Sequence, residues 1–99
     1  MELTVRGFQE LIRRRYSATD EARGTPGTFM WMIEEIGELA TALHRCAKEG
    51  ASAGERKNLE EEFADVFAWL TTLANINGVD LERALEKYTD EGRVEGVKG

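Results

Sequence analysis

Two stretches decide how this chain folds: Trp31-Met32-Ile33-Glu34-Glu35-Ile36-Gly37-Glu38-Leu39-Ala40 and Glu61-Glu62-Phe63-Ala64-Asp65-Val66-Phe67-Ala68-Trp69-Leu70. Both read as helix on a wheel of about 100° per residue. Around the first, Phe29, Ile33, Ile36, Ala40 and Leu43 form an apolar stripe, widened by Met32, Leu39, Trp31 and Ala42. Glu35 falls inside the widened arc, Glu38 at its edge and Glu34 outside it. Around the second, Leu59, Phe63, Val66, Phe67, Leu70, Leu73 and Ala74 form the stripe, with Trp69 and Ile76 beside it. Glu62 falls within that arc and Asp65 at its margin. Glu60 and Glu61 read as solvated surface.

A carboxylate on an apolar face is costly unless it is paired or bound to a metal. Salt bridging is the plain alternative, but Arg45, Lys48, Arg56 and Lys57 cluster near the connecting loop, away from the acids. Glu35 and Glu38 are three residues apart, as are Glu62 and Asp65, so each pair shares a helix face. If the helices form an antiparallel hairpin turning near Gly50, residues whose numbers add to about 100 lie level, between axes roughly 8–10 Å apart. Glu38 then meets Glu62, and Glu35 meets Asp65. Four convergent carboxylates either hold protons or gather cations. An all-oxygen ligand set suits a hard ion such as Mg²⁺. The same register sets Trp31 opposite Trp69, as an aromatic wall for a base or as ordinary packing.

Outward from this pair, the breaks are Gly24-Thr25-Pro26-Gly27, Glu49 to Gly54, and Asn77-Gly78, with Asp80 as a helix N-cap. Four helical segments lie between them: about Thr4–Tyr16, Thr28–Lys48, Glu55–Ile76 and Leu81–Tyr88. Strand-type alternation is absent. The expected fold is all-α: a bundle of two long antiparallel central helices and two shorter ones, completed by oligomerisation. One domain over residues 1–99 is expected, with a frayed glycine-rich tail at 92–99.

With 41% hydrophobic and 32% charged residues, the 99-residue chain has the make-up of a globular protein. Its net charge of −6 argues against a nucleic-acid polymer as partner. Cys46 is the only cysteine, which rules out an intrachain disulfide and fits a reducing cytoplasm. The start does not read as a signal peptide, and no run approaches the roughly 18 apolar residues of a membrane span. His44 lacks a glutamate three residues before it, so di-iron Glu-x-x-His pairs are absent. His44 reads as surface and Cys46 as packing. No P-loop occurs. Lys87 and Arg93 are the late cations that could reach a phosphate.

At its acids the chain resembles the MazG-like family of all-α nucleotide pyrophosphohydrolases. The family signature, Glu-Glu-x-x-Glu followed by Glu-x-x-Asp, appears as Glu34-Glu35-Ile36-Gly37-Glu38 and Glu62-Phe63-Ala64-Asp65. The flanks match too, as does Gly78-Val79-Asp80-Leu81 with Ala84 and Lys87-Tyr88. The resemblance covers roughly Thr25 to Tyr88. It implies metal ligation by Glu35, Glu38, Glu62 and Asp65, with Glu34 as a further acid of the motif. It implies Mg²⁺, with Mn²⁺ as a substitute, and a cut between the α and β phosphates of a nucleoside triphosphate. It also implies a homodimer or homotetramer whose subunits share the site. Some relatives carry Lys-x-x-x-Asn-x-x-Arg after the second motif, whereas here Lys87 to Arg93 has no such Asn. Phosphoribosyl-ATP pyrophosphohydrolases usually carry a Lys three residues before the glutamate pair, a place occupied here by Trp31.

The expected function is therefore magnesium-dependent hydrolysis of a (d)NTP to a (d)NMP and pyrophosphate, in nucleotide-pool housekeeping. Glu34, Glu35 and Glu38 are the candidate proton acceptors, and Trp31, Trp69, Lys87 and Arg93 the candidate substrate contacts. Phosphoribosyl-ATP hydrolysis and a non-catalytic helical interaction module are the alternatives.

Overall fold

The structure is a computed structural model that describes residues 2–90, and these residues form an all-α fold with no strand among them. In chain order the helices are α1 (Val5–Cys46), α2 (Ala53–Ile76), α3 (Leu81–Ala84) and α4 (Glu86–Thr89). The expected tail at 92–99 lies outside the described residues. No helix among them is long and apolar enough to cross a membrane.

The first two expected helices are both present; they abut at a sharp break at Gly24 and together make up α1. The helix that was expected to end near Tyr16 continues to the break at Gly24, where φ is 74° and ψ 179°. That conformation is accessible essentially to glycine alone. Helical geometry resumes at Thr25, with Pro26 in the first turn, where its missing N–H costs nothing. The break therefore occupies a single residue and divides α1 into an N-terminal arm and a C-terminal half.

The C-terminal half of α1 runs antiparallel to α2. Cys46 Sγ reaches the Glu55 carbonyl at 3.3 Å at the loop end. Trp31 and Trp69 meet at the far end. α2 starts with a capping box: Ser52 Oγ accepts from Glu55 N at 3.0 Å, and Ser52 N donates to Glu55 Oε1 at 2.9 Å. Such a box contributes about 1 kcal/mol.

The arm folds back over α2. Phe8 packs on Phe67 with ring centroids 5.5 Å apart. Buried Gln9 clasps the turn after α2: its Nε2 donates to the Val79 carbonyl at 2.6 Å, and its Oε1 accepts from Leu81 N at 3.0 Å. Asp80 caps α3, accepting from Arg83 N at 3.2 Å, and is bridged by Arg6 at 3.1 Å. The fourth expected helix is two short turns, α3 and α4, joined at Leu85.

The packing corrects the apolar stripes. On α1 the half-buried and buried positions after the break are Gly27, Thr28, Met32, Glu35, Leu39, Ala42 and Cys46, and from Thr28 on they form a helical stripe facing α2. The more hydrophobic stripe beside it faces outward, with Phe29 50% and Ile33 49% exposed. On α2, Leu59, Glu62, Val66 and Trp69 face inward, while Phe63 is 53% exposed and Leu70 44%. Glu35 and Glu62 thus lie in the seam between the helices, and the strongest apolar surface is left uncovered in the single chain.

Candidate metal and nucleotide site

Glu35, Glu62 and Asp65 converge: each offers one carboxylate oxygen, and the three atoms lie within 4.8 Å of one another. Glu38, the fourth acid expected here, is exposed and is not among the three converging oxygens, although its charge acts on both Glu35 and Glu62. The i, i+3 spacing on each helix and the antiparallel register produce this meeting. Burial first, and then the charge of Glu38, push the Glu35 carboxyl up to about 7. Glu62 is raised as well, by burial and by its neighbours Glu38 and Asp65. One oxygen of Glu35 and one of Glu62 are buried without a hydrogen-bond partner among the described residues. Buried orphan acceptors are uncommon and call for a donor or a cation. An oxygen-only donor set with two such atoms fits a hard divalent ion.

Glu34 is exposed on α1 and stands apart from the three converging oxygens. Trp31 and Trp69 stack on one another, with centroids 6.3 Å apart and ring planes 15° from parallel. Lys87 lies on α4 with Nζ 5.7 Å from the Tyr88 ring centroid. Arg93 lies outside the described residues. His44 is exposed and Cys46 half-buried.

Three neighbours of the tryptophan pair have no counterpart in the sequence reading. The Arg23 guanidinium lies over the Trp69 ring, 4.8 Å from its centroid. Its Nη2 donates to Asp20 Oδ1 at 2.6 Å, and its Nε donates to Thr28 Oγ1 at 2.9 Å. These residues flank the Gly24 break, so their meeting depends on the arm being helical up to that point. The signal available was Asp20-x-x-Arg23, an i, i+3 charge pair.

A cavity of about 280 Å³ opens beside this group, lined by Ile12, Tyr16, Thr19, Asp20, Arg23, Ala68, Trp69 and Thr72. A larger one, about 520 Å³, lies between the start of α1 and Phe63 and Phe67. Its lining, unlike the acid seam, carries no titratable side chain.

Carboxylates gathered in the seam of an all-α hairpin make a candidate site for a hard cation. The family pattern of the MazG nucleotide pyrophosphohydrolase domain matches residues 25–91, and the chain belongs to that family. The match begins directly after the Gly24 break, so the arm that carries Asp20 and Arg23 precedes it. A comparison with curated proteins finds no match.

Proposed function

We propose that this chain is a magnesium-dependent nucleoside triphosphate pyrophosphohydrolase that converts a (d)NTP to a (d)NMP and pyrophosphate and serves nucleotide-pool housekeeping in the cytoplasm. The observation that carries this reading is the meeting of Glu35, Glu62 and Asp65, with a buried, unpartnered oxygen on each glutamate. Glu35, Glu38, Glu62 and Asp65 would hold Mg²⁺, or Mn²⁺ in its place. When bound, the ion supplies polarisation of the phosphate oxygens and charge neutralisation at the departing pyrophosphate. A carboxylate not engaged in holding the ion takes the proton of the attacking water. Glu34, Glu35 and Glu38 are the candidates, and Glu38 is the one whose charge acts on both Glu35 and Glu62. Trp31 and Trp69 stand about one helical turn from Glu35 and Asp65, where they would adjoin the base. Lys87 and Arg93 would meet phosphate.

The reading includes a homodimer or homotetramer. The accessible surface is 7260 Å², against about 5,700 Å² for an ordinary monomer of this mass. The positions next in sequence to the inward stripes, among them Phe29, Ile33, Ile36, Phe63 and Leu70, fall on one side of the hairpin and are exposed. Covering them with a second copy would also close the seam from water.

The test is pyrophosphate release with magnesium across ribo- and deoxyribonucleoside triphosphates and phosphoribosyl-ATP. Glu38→Gln and Asp65→Asn are expected to lose at least about 100-fold in rate, within the range for groups that stabilise developing charge, and to keep wild-type helicity. Full activity in both variants would overturn the proposal.

A further inference from the structure

Each inward residue of the hairpin has a sequence neighbour on either side, and at about 100° per residue the two neighbours point to opposite sides of the seam. The residues that follow the inward ones form the exposed apolar face. The residues that precede them form a second face: Trp31, Glu34, Glu38 and Arg45 on α1, with Glu61 and Asp65 on α2, all of them exposed. Asp65 belongs to this face and converges with Glu35 and Glu62, so the acids border it. A second copy covering the apolar face would leave this acid face open.

Trp31, Glu38 and Arg45 follow one another at intervals of seven residues. Over seven residues a helix comes nearly back to the same direction, drifting about 20°, and rises about 10 Å. The three therefore stand almost in line, with the carboxylate in the middle and Arg45 toward the loop. Charge is divided along this line. From Thr28 to Leu43 and from Asn58 to Gly78 every charged side chain of the hairpin is a carboxylate. A triphosphate brings still more negative charge to such a site. At the Gly24 end the cation is Arg23, which is engaged by Asp20, Thr28 and the Trp69 ring. At the loop end Arg45, Lys48, Arg56 and Lys57 are exposed and form no salt bridge among the described residues. Arg56 follows inward Glu55 and so lies on the apolar side, Lys57 points to the back of α2, and Lys48 lies beyond the end of α1. Arg45 alone of the four lies on the acid face. Its charge acts on Glu55, but that carboxylate is held in the capping box by the Ser52 N–H.

We propose that Arg45 is a phosphate-binding residue of this chain: it receives the β and γ phosphates that leave as pyrophosphate, while the nucleoside half of the substrate points toward the Gly24 end. This rests on the pyrophosphohydrolase reading above, and it adds to Lys87 and Arg93 a cation that belongs to the hairpin itself. The pyrophosphate half carries most of the substrate's charge, and the loop is the end of the hairpin with cations to spare. A guanidinium presents paired N–H groups that match two phosphate oxygens.

Product inhibition tests it by separating the two halves of the substrate. In Arg45→Ala, magnesium pyrophosphate is expected to inhibit at least about tenfold more weakly than in the wild type, the low end for loss of a hydrogen bond to a charged group. Inhibition by the nucleoside monophosphate should stay unchanged. Arg45→Lys keeps the charge but loses the fork, and should fall between. Lys57→Ala removes a loop-end cation that is off the acid face, and should leave both inhibitions as they are. A second readout needs no turnover: calorimetric titration with inorganic triphosphate and magnesium should detect binding to the wild type, weakened at least about tenfold in Arg45→Ala. If Arg45 only complements the negative end of the α1 dipole, its loss lowers the melting temperature and leaves both readouts unmoved, which would overturn the inference. So would an equal loss in Lys57→Ala, a loss of monophosphate inhibition in place of pyrophosphate inhibition, or a wild type that hydrolyses nucleotides without binding inorganic triphosphate. Those outcomes leave the hydrolase reading standing. Failure of the wild type to hydrolyse any nucleoside triphosphate would overturn both.

Discussion

At the scale of single residues, the most informative group is Glu35. It sits in the helix–helix seam, and in the metal-free protein its carboxyl is pushed up to about 7, first by burial and then by Glu38. The ordinary value of 4.5 is retained in the unfolded chain. Between these values the folded protein keeps a proton that the unfolded chain has released. The linkage therefore lowers the stability of the metal-free protein as pH rises from about 4.5 to 7. Glu62 acts in the same direction. The depressed carboxyls of Glu55 and Asp80 contribute in a lower window, losing their benefit only as pH falls below the ordinary carboxylate range. The expected result is a metal-free melting temperature that is lower at pH 8 than at pH 5.5, and a magnesium-induced rise that is larger at pH 8, since the ion competes with the proton. Glu35→Gln should flatten both trends in thermal melts. A wild-type melting temperature that climbs steadily over this interval would contradict the assignment.

At the scale of elements, spacing made much of the site legible. Two i, i+3 acid pairs and an antiparallel register near Gly50 predict that Glu35, Glu38, Glu62 and Asp65 meet, and three of them, Glu35, Glu62 and Asp65, converge. Hydrophobicity alone misplaced the seam. Phe29, Ile33 and Ile36 are more apolar than Thr28, Met32 and Glu35, yet the latter face α2. A wheel finds an apolar arc without telling which part of it meets a helix of the same chain and which part is free to meet another. The last two turns of the arm, beyond the expected end at Tyr16, were hidden for a different reason. Its stretch from Arg13 to Thr19 is polar and mostly exposed, so no apolar period carries the helix past Tyr16. The Gly24-Thr25-Pro26-Gly27 turn signal then reads as a loop, although the break needs Gly24 alone. Replacing Gly24 by Ala should cost about 1–3 kcal/mol, because its φ of 74° with ψ near 179° is closed to a side chain. Denaturant unfolding measures this cost. An unchanged midpoint would show that the arm and the hairpin can meet at another angle.

For the whole molecule, the single chain is open. Its radius of gyration is 15.7 Å, against about 13 Å for a compact domain of 100 residues. Its buried apolar side chains are few: Ile12, Ala42, Leu59 and Ala74 among the described residues. Both facts accord with a fold whose core is finished by another copy, as the exposed stripes of α1 and α2 suggest. Ile33→Glu puts a charge in the middle of that face without touching the acids. It should shift the protein from an oligomer to a monomer in sedimentation analysis and lower its melting temperature. A wild-type protein that sediments as a monomer would remove this part of the proposal.

The clasp made by Gln9 has a consequence for the order in which the chain closes. The contact between Cys46 and Glu55 spans 9 residues, whereas Gln9 reaches Val79 across 70. Closing a long loop costs more chain entropy than closing a short one, and that cost falls due before the contact repays it. The hairpin with its capped turn is thus the natural nucleus. The arm docks late, bringing Asp20 and Arg23 to Trp69 only after Glu35, Glu62 and Asp65 have already been drawn together.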